Sequence, residues 1–329
     1  MKHPAGYNAN ASLRWTEALP WLLAIAVFFL LPDYLSMGIR VLTYILFALS
    51  LDLIIGYAGI VTLGHAAFFG VGAYVTGIVS VKLGITNPFL QLILGGVAAG
   101  LLGLFTGLVI MRTHGLAQLM LTLAVAAVCL EIANKATDIT GGADGLSGVI
   151  VDPIFGLFKF DLYGVTGYWW CLAVLLVCWY VVRRVIYSPF GASLTGIREN
   201  RVRMEAIGAP VYLRLVLVYT LSAFIAGLAG ALLTQTNQVV GLNVLGFEPS
   251  GELIVMLVLG GVGRIYGAFL GPLIFLVAQD FLSKQFPEYW YFGIGLMLVL
   301  VVLFARGGFL GIFDNIGARL FSKKQGSTS

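Results

Sequence analysis

The chain has 329 residues, of which 60% are apolar and 10% charged, and its net charge is +4. Soluble proteins carry roughly 25% charged residues, so a buried core under a polar shell is excluded as the organising plan. The small, scattered positive charge gives no footprint for nucleic acid.

A polar tail, residues 1–17, precedes the first apolar run. That run, Leu19–Leu31, ends in Pro32 and Asp33 with no small-residue cleavage site, and reads as a retained span rather than a removed signal peptide. Apolar runs of the ~20 residues needed to cross ~30 Å of hydrocarbon then recur. Spans are expected near 19–33, 38–56, 59–83, 89–111, 116–134, 168–187, 211–236, 251–263, 267–283 and 290–306. The strand alternation of a membrane barrel is absent, and backbone groups in lipid must bond internally, so the spans are expected to be helices. The fold class is therefore an all-α polytopic membrane protein of about ten transmembrane helices. Its single transmembrane domain covers 18–306, with a C-terminal tail at 307–329. The eighth span is short and ends in glycine, as a half-helix or a re-entrant segment would.

Within the second and third spans lies "GYAGIVTLGHAAFFGVGAY", Gly56–Tyr74, where glycine interrupts an apolar run around His65. Such breaks at membrane depth are tolerated where the chain faces protein or a water-filled cavity. Gly56, Gly59, Gly64, Gly70 and Gly72 are expected to bend or break the third span. Tyr57, Thr62, Gly64, His65 and Gly70 are the candidate pathway residues. The plainer alternative is that His65 hydrogen-bonds a neighbouring helix. Asp52 and Glu131 are further charges inside spans, expected to face the bundle or reach an interface. Glycines at four-residue spacing (Gly96/Gly100, Gly103/Gly107, Gly263/Gly267/Gly271) predict closely packed helix faces.

Loop charge sets orientation. Segment 134–168 holds Asp138, Asp144, Asp152 and Asp161 against Lys135 and Lys159; segment 183–214 holds six arginines against Glu199 and Glu205. Basic loops face the cytoplasm, so 134–168 is expected outside and 188–210 inside. Arg112 and the tail with Arg319, Lys323 and Lys324 join the inner side, and both termini are then cytoplasmic. The outer loop contains "TGGADGLSG", where Gly141, Gly142 and Gly145 permit turns and Asp144 has amides nearby to bond. It reads as a turn cluster or as a docking or entry loop. In the inner loop, Ser188 and Pro189 suit a helix start. Leu194, Ile197, Met204 and Ile207 line one face, and Gly208 and Pro210 end the helix. Such a helix suits the bilayer surface or a groove in a soluble partner.

Cys129, Cys171 and Cys178 lie in apolar runs. Cys171 and Cys178 would be about 10 Å apart on one helix, too far for a disulfide, and no spacing suggests a metal. No GxxxxGK(S/T), HExxH or GxSxG occurs, so the chain offers no P-loop and no catalytic constellation, and it is not expected to be an enzyme.

Three segments in combination, "GYAGIVTLGHAAFFGVGAY", "TGGADGLSG" and "SPFGASLTGIRENRVRMEAIGAPVYLRLVLVYTLSAFIAGLAGAL", resemble the LivM-like permease subunits of branched-chain amino acid ABC importers. Similar character runs through "LIVMLVLGGVGRIYGAFLGP", so the resemblance covers most of 38–306. Asp52 stands where that family usually has asparagine, and Met204 interrupts a stretch that is often richer in alanine. The resemblance implies a type II-like ABC importer permease fold in the bacterial inner membrane. It also implies a homologous second permease, two cytoplasmic ABC ATPases and a periplasmic solute-binding protein. It implies no cofactor in this chain, with ATP and Mg bound at the partner ATPases. Gly191, Arg198, Glu199, Asn200, Glu205 and Gly208 would form the ATPase-coupling segment, and Gly141, Gly142, Asp144 and Gly145 would lie on the binding-protein side. The solute would be a branched-chain amino acid, or a related urea, amide, aromatic or dicarboxylic acid. The competing class is an ion-coupled secondary transporter with Asp52 or His65 as its coupling group.

Overall fold

The computed structural model describes residues 19–30, 32–161, 164–304 and 308–309. The expected N-terminal tail at 1–17 and all of the expected C-terminal tail 307–329 except 308–309, including Arg319, Lys323 and Lys324, lie outside the described residues. The helices are α1 (Leu19–Leu30), α2 (Leu35–Asp52), α3 (Ala66–Val81), α4 (Pro88–Ile110), α5 (Leu116–Lys135), α6 (Thr137–Thr140), α7 (Val165–Ile186), α8 (Pro189–Glu199), α9 (Arg201–Ala206), α10 (Val211–Asn237), α11 (Phe247–Gly260), α12 (Gly267–Gln285) and α13 (Trp290–Phe304). Two short strands, β1 (Leu146–Ser147) and β2 (Val239–Val240), pair antiparallel.

Six of these segments are long and apolar enough to cross a membrane: Pro32–Ala58, which contains α2, and α4, α5, α7, α10 and α12. The expectation of ten spans is not met by this measure. Helices α1, α3, α11 and α13 have 12, 16, 14 and 15 residues, and at 1.5 Å per residue each is shorter than the ~30 Å hydrocarbon layer.

The centre of the bundle is α10, packed most closely on α4 and α3, with α2 alongside. Small residues permit this. A methyl added at Gly227 would meet Ala99 Cβ and the Gly95 carbonyl, and one at Gly230 would overlap the Phe69 carbonyl. The α4 glycine stripe is used as its spacing predicts: Gly96 and Gly100 face Phe224, Gly103 faces Ala223 and Gly107 faces Tyr219. On α12, Gly267 and Gly271 do the same against the backbone of Gly261 and Met256. Gly263 does not continue that stripe, because it lies in the turn between α11 and α12 with φ +78°. Outward faces of α4, α5 and α7 leave Phe105, Met120 and Val177 exposed, the inverse of a soluble surface and suited to hydrocarbon.

The bundle has two chemically different ends. At one, arginines sit over aromatic rings: Arg112 over Tyr212, Arg183 over Trp179 and Tyr187, Arg184 over Tyr180, all at 5.4–5.9 Å. The opposite end carries the 136–161 loop, joined to the α3–α4 connection by Asp152 N–H to Thr86 O at 2.8 Å. Helices α2, α4 and α7 run from the loop end to the arginine end, and α3, α5 and α10 return. Glu131 is exposed and paired with Lys135 at 3.1 Å.

Candidate functional site

The expected bend in the third span is a complete break. Helix α2 ends at Asp52 and continues as a π-helical turn, Leu53–Ala58, which Gly59 closes with φ +72°. Residues 59–65 are non-helical, and α3 begins only at Ala66. Its backbone is satisfied by side chains, two of them from distant elements. Leu63 N–H donates to Thr122 Oγ1 of α5 at 3.3 Å, Gly64 N–H to Thr62 Oγ1 at 3.3 Å, and Ala66 N–H to Ser250 Oγ of α11 at 2.9 Å. Gly64 leaves no room for a Cβ, which would overlap the Thr122 carbonyl.

His65 is buried beside this break. Its ring stacks on Phe47 (5.5 Å, 10°) and meets Phe68 edge-on, and its Nε2 lies 2.8 Å from Ser50 Oγ. Ser50 Oγ already donates to Phe47 O at 2.6 Å. A hydroxyl has one proton to give, so the imidazole donates through Nε2–H and Nδ1 is the unprotonated nitrogen. Nδ1 has no hydrogen-bond partner among the described residues.

The break meets a second one. Between α11 and α12, residues 261–266 form a glycine-rich turn, and Gly263 N–H donates to Asp52 Oδ1 at 2.7 Å. Arg198, the one arginine of α8, donates Nη1 to the Gly56 carbonyl inside the π turn. A Cβ at Gly56 would collide with Asp52 Oδ1 and Gly263, and one at Gly59 would press on the Arg198 side chain. Tyr57 stands against the Ile265 backbone in the same cluster. Three remote segments thus converge on one buried carboxylate, one guanidinium and three close-packed glycines. Asp52 is fully buried rather than interfacial.

The inner loop folds as two helices instead of one, so its apolar face is divided. Ser188 Oγ caps α8 with Pro189 at its first position, as the sequence predicts. Asn200 then leaves helical geometry and caps α9, accepting from Arg203 N–H at 2.9 Å. Leu194 and Ile197 are buried under the bundle, Met204 folds back over Gly196, and Ile207 and Val202 are exposed. Gly191 is packed against the Ile186 carbonyl, Glu205 pairs with Arg201 at 2.9 Å, Glu199 is exposed, and Gly208 turns the chain with φ +81°. Of the predicted coupling residues, Arg198 therefore reaches inward to the clasp while Glu199 and Glu205 face out.

At the opposite end a cavity of about 520 Å³ opens between α2, α3, α10 and the 239–249 segment, lined among others by Ser36, Arg40, Tyr44, Phe69, Asn237 and Asn243. Its floor is aromatic: Tyr44 and Phe69 lie 6.3 Å apart, and Phe69 stacks on Phe47 at 4.4 Å. Phe47 then stacks on His65, so the column runs from the cavity floor to the break. None of Tyr57, Thr62, Gly64, His65 or Gly70 lines this cavity; Gly70 packs against Leu245 beside it. The sequence reading passed over Arg40, which sits unmarked in the apolar run of α2. In the nearby loop, Gly141, Gly142, Gly145 and Gly148 all have positive φ. Gly145 packs on the Val240 backbone, which fixes β1 on β2 at the cavity rim. Asp144 is exposed and accepts no hydrogen bond among the described residues.

Residues 34–302 match the family described as branched-chain amino acid transport system, permease component. The chain is 26% identical over 314 residues to the high-affinity branched-chain amino acid transport system permease protein LivM of Salmonella typhimurium, covering 88% of this chain and 73% of that protein. To LivM of Escherichia coli K12 it is 26% identical over 289 residues, 81% of this chain and 67% of the other. To the permease LivH of Salmonella typhimurium it is 23% identical over 290 residues, 82% and 91%. No solved structure matches.

Proposed function

Because the chain belongs to the family of branched-chain amino acid transport permease components, we propose that it is one permease subunit of an ATP-driven importer. On this reading it forms part of the path for a branched-chain amino acid or a related small polar solute across the bacterial inner membrane. A homologous second permease, two cytoplasmic ABC ATPases that bind ATP and Mg, and a periplasmic binding protein complete the machine. The arginine-rich end faces the cytoplasm with both termini, and the 134–168 loop faces the periplasm.

One observation carries the mechanical part of the proposal: α8 is hydrogen-bonded through Arg198 to the break that ends α2. A force applied to the exposed side of α8–α9 reaches the π turn through a charge-assisted hydrogen bond, which is roughly twice as strong as a neutral one. The same turn is tied through Asp52 to the α11–α12 turn, so two broken elements move with one inner helix. Exposed Val202 and Ile207, beside Glu199, Arg203 and the Arg201–Glu205 pair, give the α8–α9 segment the apolar and charged surface on which a partner would seat.

Co-purification and reconstitution test this. Stoichiometric ATPase subunits and ATP-dependent leucine uptake are expected from the assembled complex. Arg198→Ala is expected to keep the ATPases bound and lower uptake at least tenfold. Gradient-driven accumulation by the chain alone, without ATPases, would favour the ion-coupled class and refute the proposal.

A further inference from the structure

The 520 Å³ cavity is of the size that holds small ligands, and its walls are of two kinds. One is polar and charged. Arg40 extends over the Tyr44 ring (5.8 Å) and donates to Gln279 Oε1 of α12 at 3.4 Å. Glu248 and Glu252, four residues apart and so on one face of α11, stand outside the lining itself, on either side of the lining residue Pro249 in the chain. Glu252 interacts electrostatically with both Arg40 and Glu248. The other wall is apolar, from Ile39, Phe69, Leu233 and Val244.

Arg40 is not placed like a snorkelling arginine. It lies near the loop end of α2, where snorkelling would carry its head back toward Ser36 and water. Side chains on a helix also lean toward the N-terminus. Instead the guanidinium reaches Tyr44, one turn deeper. An ionisable side chain within a span is expensive and usually faces a water-filled cavity with a partner. Here the guanidinium has five donors, and it hydrogen-bonds the Gln279 and Tyr44 side chains.

We infer that this cavity is a binding site for a single zwitterionic amino acid with an apolar side chain. The carboxylate is held by Arg40, the ammonium by Glu252 with Glu248, and the side chain lies on Phe69 and Leu233. The choice of an amino acid rests on the importer reading; the charge arrangement rests on Arg40 in the cavity wall and on the α11 carboxylates that interact with it. The aromatic floor of Tyr44 and Phe69 holds the ligand above the break at 59–65. A permease with such a site recognises its solute after delivery, and discriminates against analogues that lack either charge.

The test uses the assembled complex in vesicles, with Cys129→Ala to remove the half-buried native thiol and Asn243→Cys to report from the cavity wall. Modification by a membrane-impermeant thiol reagent is timed with L-leucine, with leucinamide, which lacks the carboxylate, and with 4-methylpentanoate, which lacks the amine. L-leucine at four-fifths occupancy is expected to slow labelling roughly fivefold, and the two analogues are expected to leave it unchanged. Arg40→Gln is expected to abolish leucine protection while preserving the unprotected labelling rate, which shows that the cavity is still formed. Equal protection by all three compounds, no protection by leucine, or protection that survives both Arg40→Gln and Glu252→Gln overturns the inference. ATP-driven leucine uptake by the same vesicles reads the importer assignment separately. Uptake without protection refutes the site alone, and protection without ATP dependence refutes the importer alone.

Discussion

Replacing Asp52 by Asn and by Ala separates what the clasp needs. Asp52 Oδ1 accepts from Gly263 N–H at 2.7 Å, and Oδ2 is buried without a hydrogen-bond partner among the described residues. Asn retains an acceptor at Oδ1 and removes a buried charge, whose desolvation is unfavourable. It loses the extra strength of a charged acceptor, about 1 kcal/mol, so the two effects nearly cancel. Ala leaves the Gly263 N–H without its acceptor, which costs about 1–3 kcal/mol, and also opens a void beside Gly56. For a chain of this size 1 kcal/mol shifts the melting midpoint by roughly 2–4 °C. Asp52→Ala should therefore melt on the order of 5 °C lower in detergent, and Asp52→Asn within about 2 °C of the parent. Thermal melts of the purified complex followed by intrinsic fluorescence check this. If Asp52→Asn falls as far as Asp52→Ala, the charge and its attraction to Arg198 hold the clasp, and the argument from the acceptor is wrong.

His65→Ala removes a ring stacked on Phe47 and the hydrogen bond to Ser50, so a loss of roughly 2–4 kcal/mol and lower steady-state abundance are expected, with an unchanged KM for uptake; a raised KM at normal abundance would place the imidazole in the pathway. Gly230→Ala drives a methyl into the Phe69 carbonyl, and overpacking of this kind costs about 1–3 kcal/mol. Gly295→Ala meets open space within a helix and should be neutral or stabilising by up to ~1 kcal/mol, a contrast that expression level and melting will show. Glu131→Gln breaks only an exposed pair with Lys135 and should change stability by less than about 0.5 kcal/mol, as the same melts can verify.

Local chemistry was legible in the sequence. The Ser188 cap, the Gly208 stop and the α4 glycine stripe each depend on residues within one or two turns of one another. The glycines from Gly56 to Gly64 marked the break, but nothing local in "LIIGYA" specifies a π turn. Its geometry is fixed by Gly263, 211 residues from Asp52, and by Arg198, 142 residues from Gly56. Thr122 and Ser250, which satisfy the non-helical backbone, looked like ordinary polar residues in apolar runs. The division of the inner loop at Asn200 did have a signal: asparagine is among the best helix N-caps, and it lay inside a run read as one helix. Arg40 was hidden by averaging, since a single charge barely lowers the hydropathy of the run around it.

Helix α2 joins the two sites. Arg40 and Asp52 are twelve residues apart, about 18 Å along the axis and a third of a turn around it. One faces the loop-end cavity and the other the α11–α12 turn. The helix between them is almost wholly buried, with Leu46, Phe47 and Ala48 inaccessible, so it transmits a displacement along its axis with little room to bend. On the importer reading, releasing Arg198 from Gly56 frees the end of the helix that carries Arg40 and Tyr44. A ligand in the cavity and a partner on α8 then bias the same element from opposite ends. Coupling of this sort needs each ligand to bind the two positions of α2 with different affinity. Arg40 above the floor and Arg198 below the break supply those differential contacts, since an axial shift of α2 would carry Arg40 away from Gln279 and Gly56 away from Arg198.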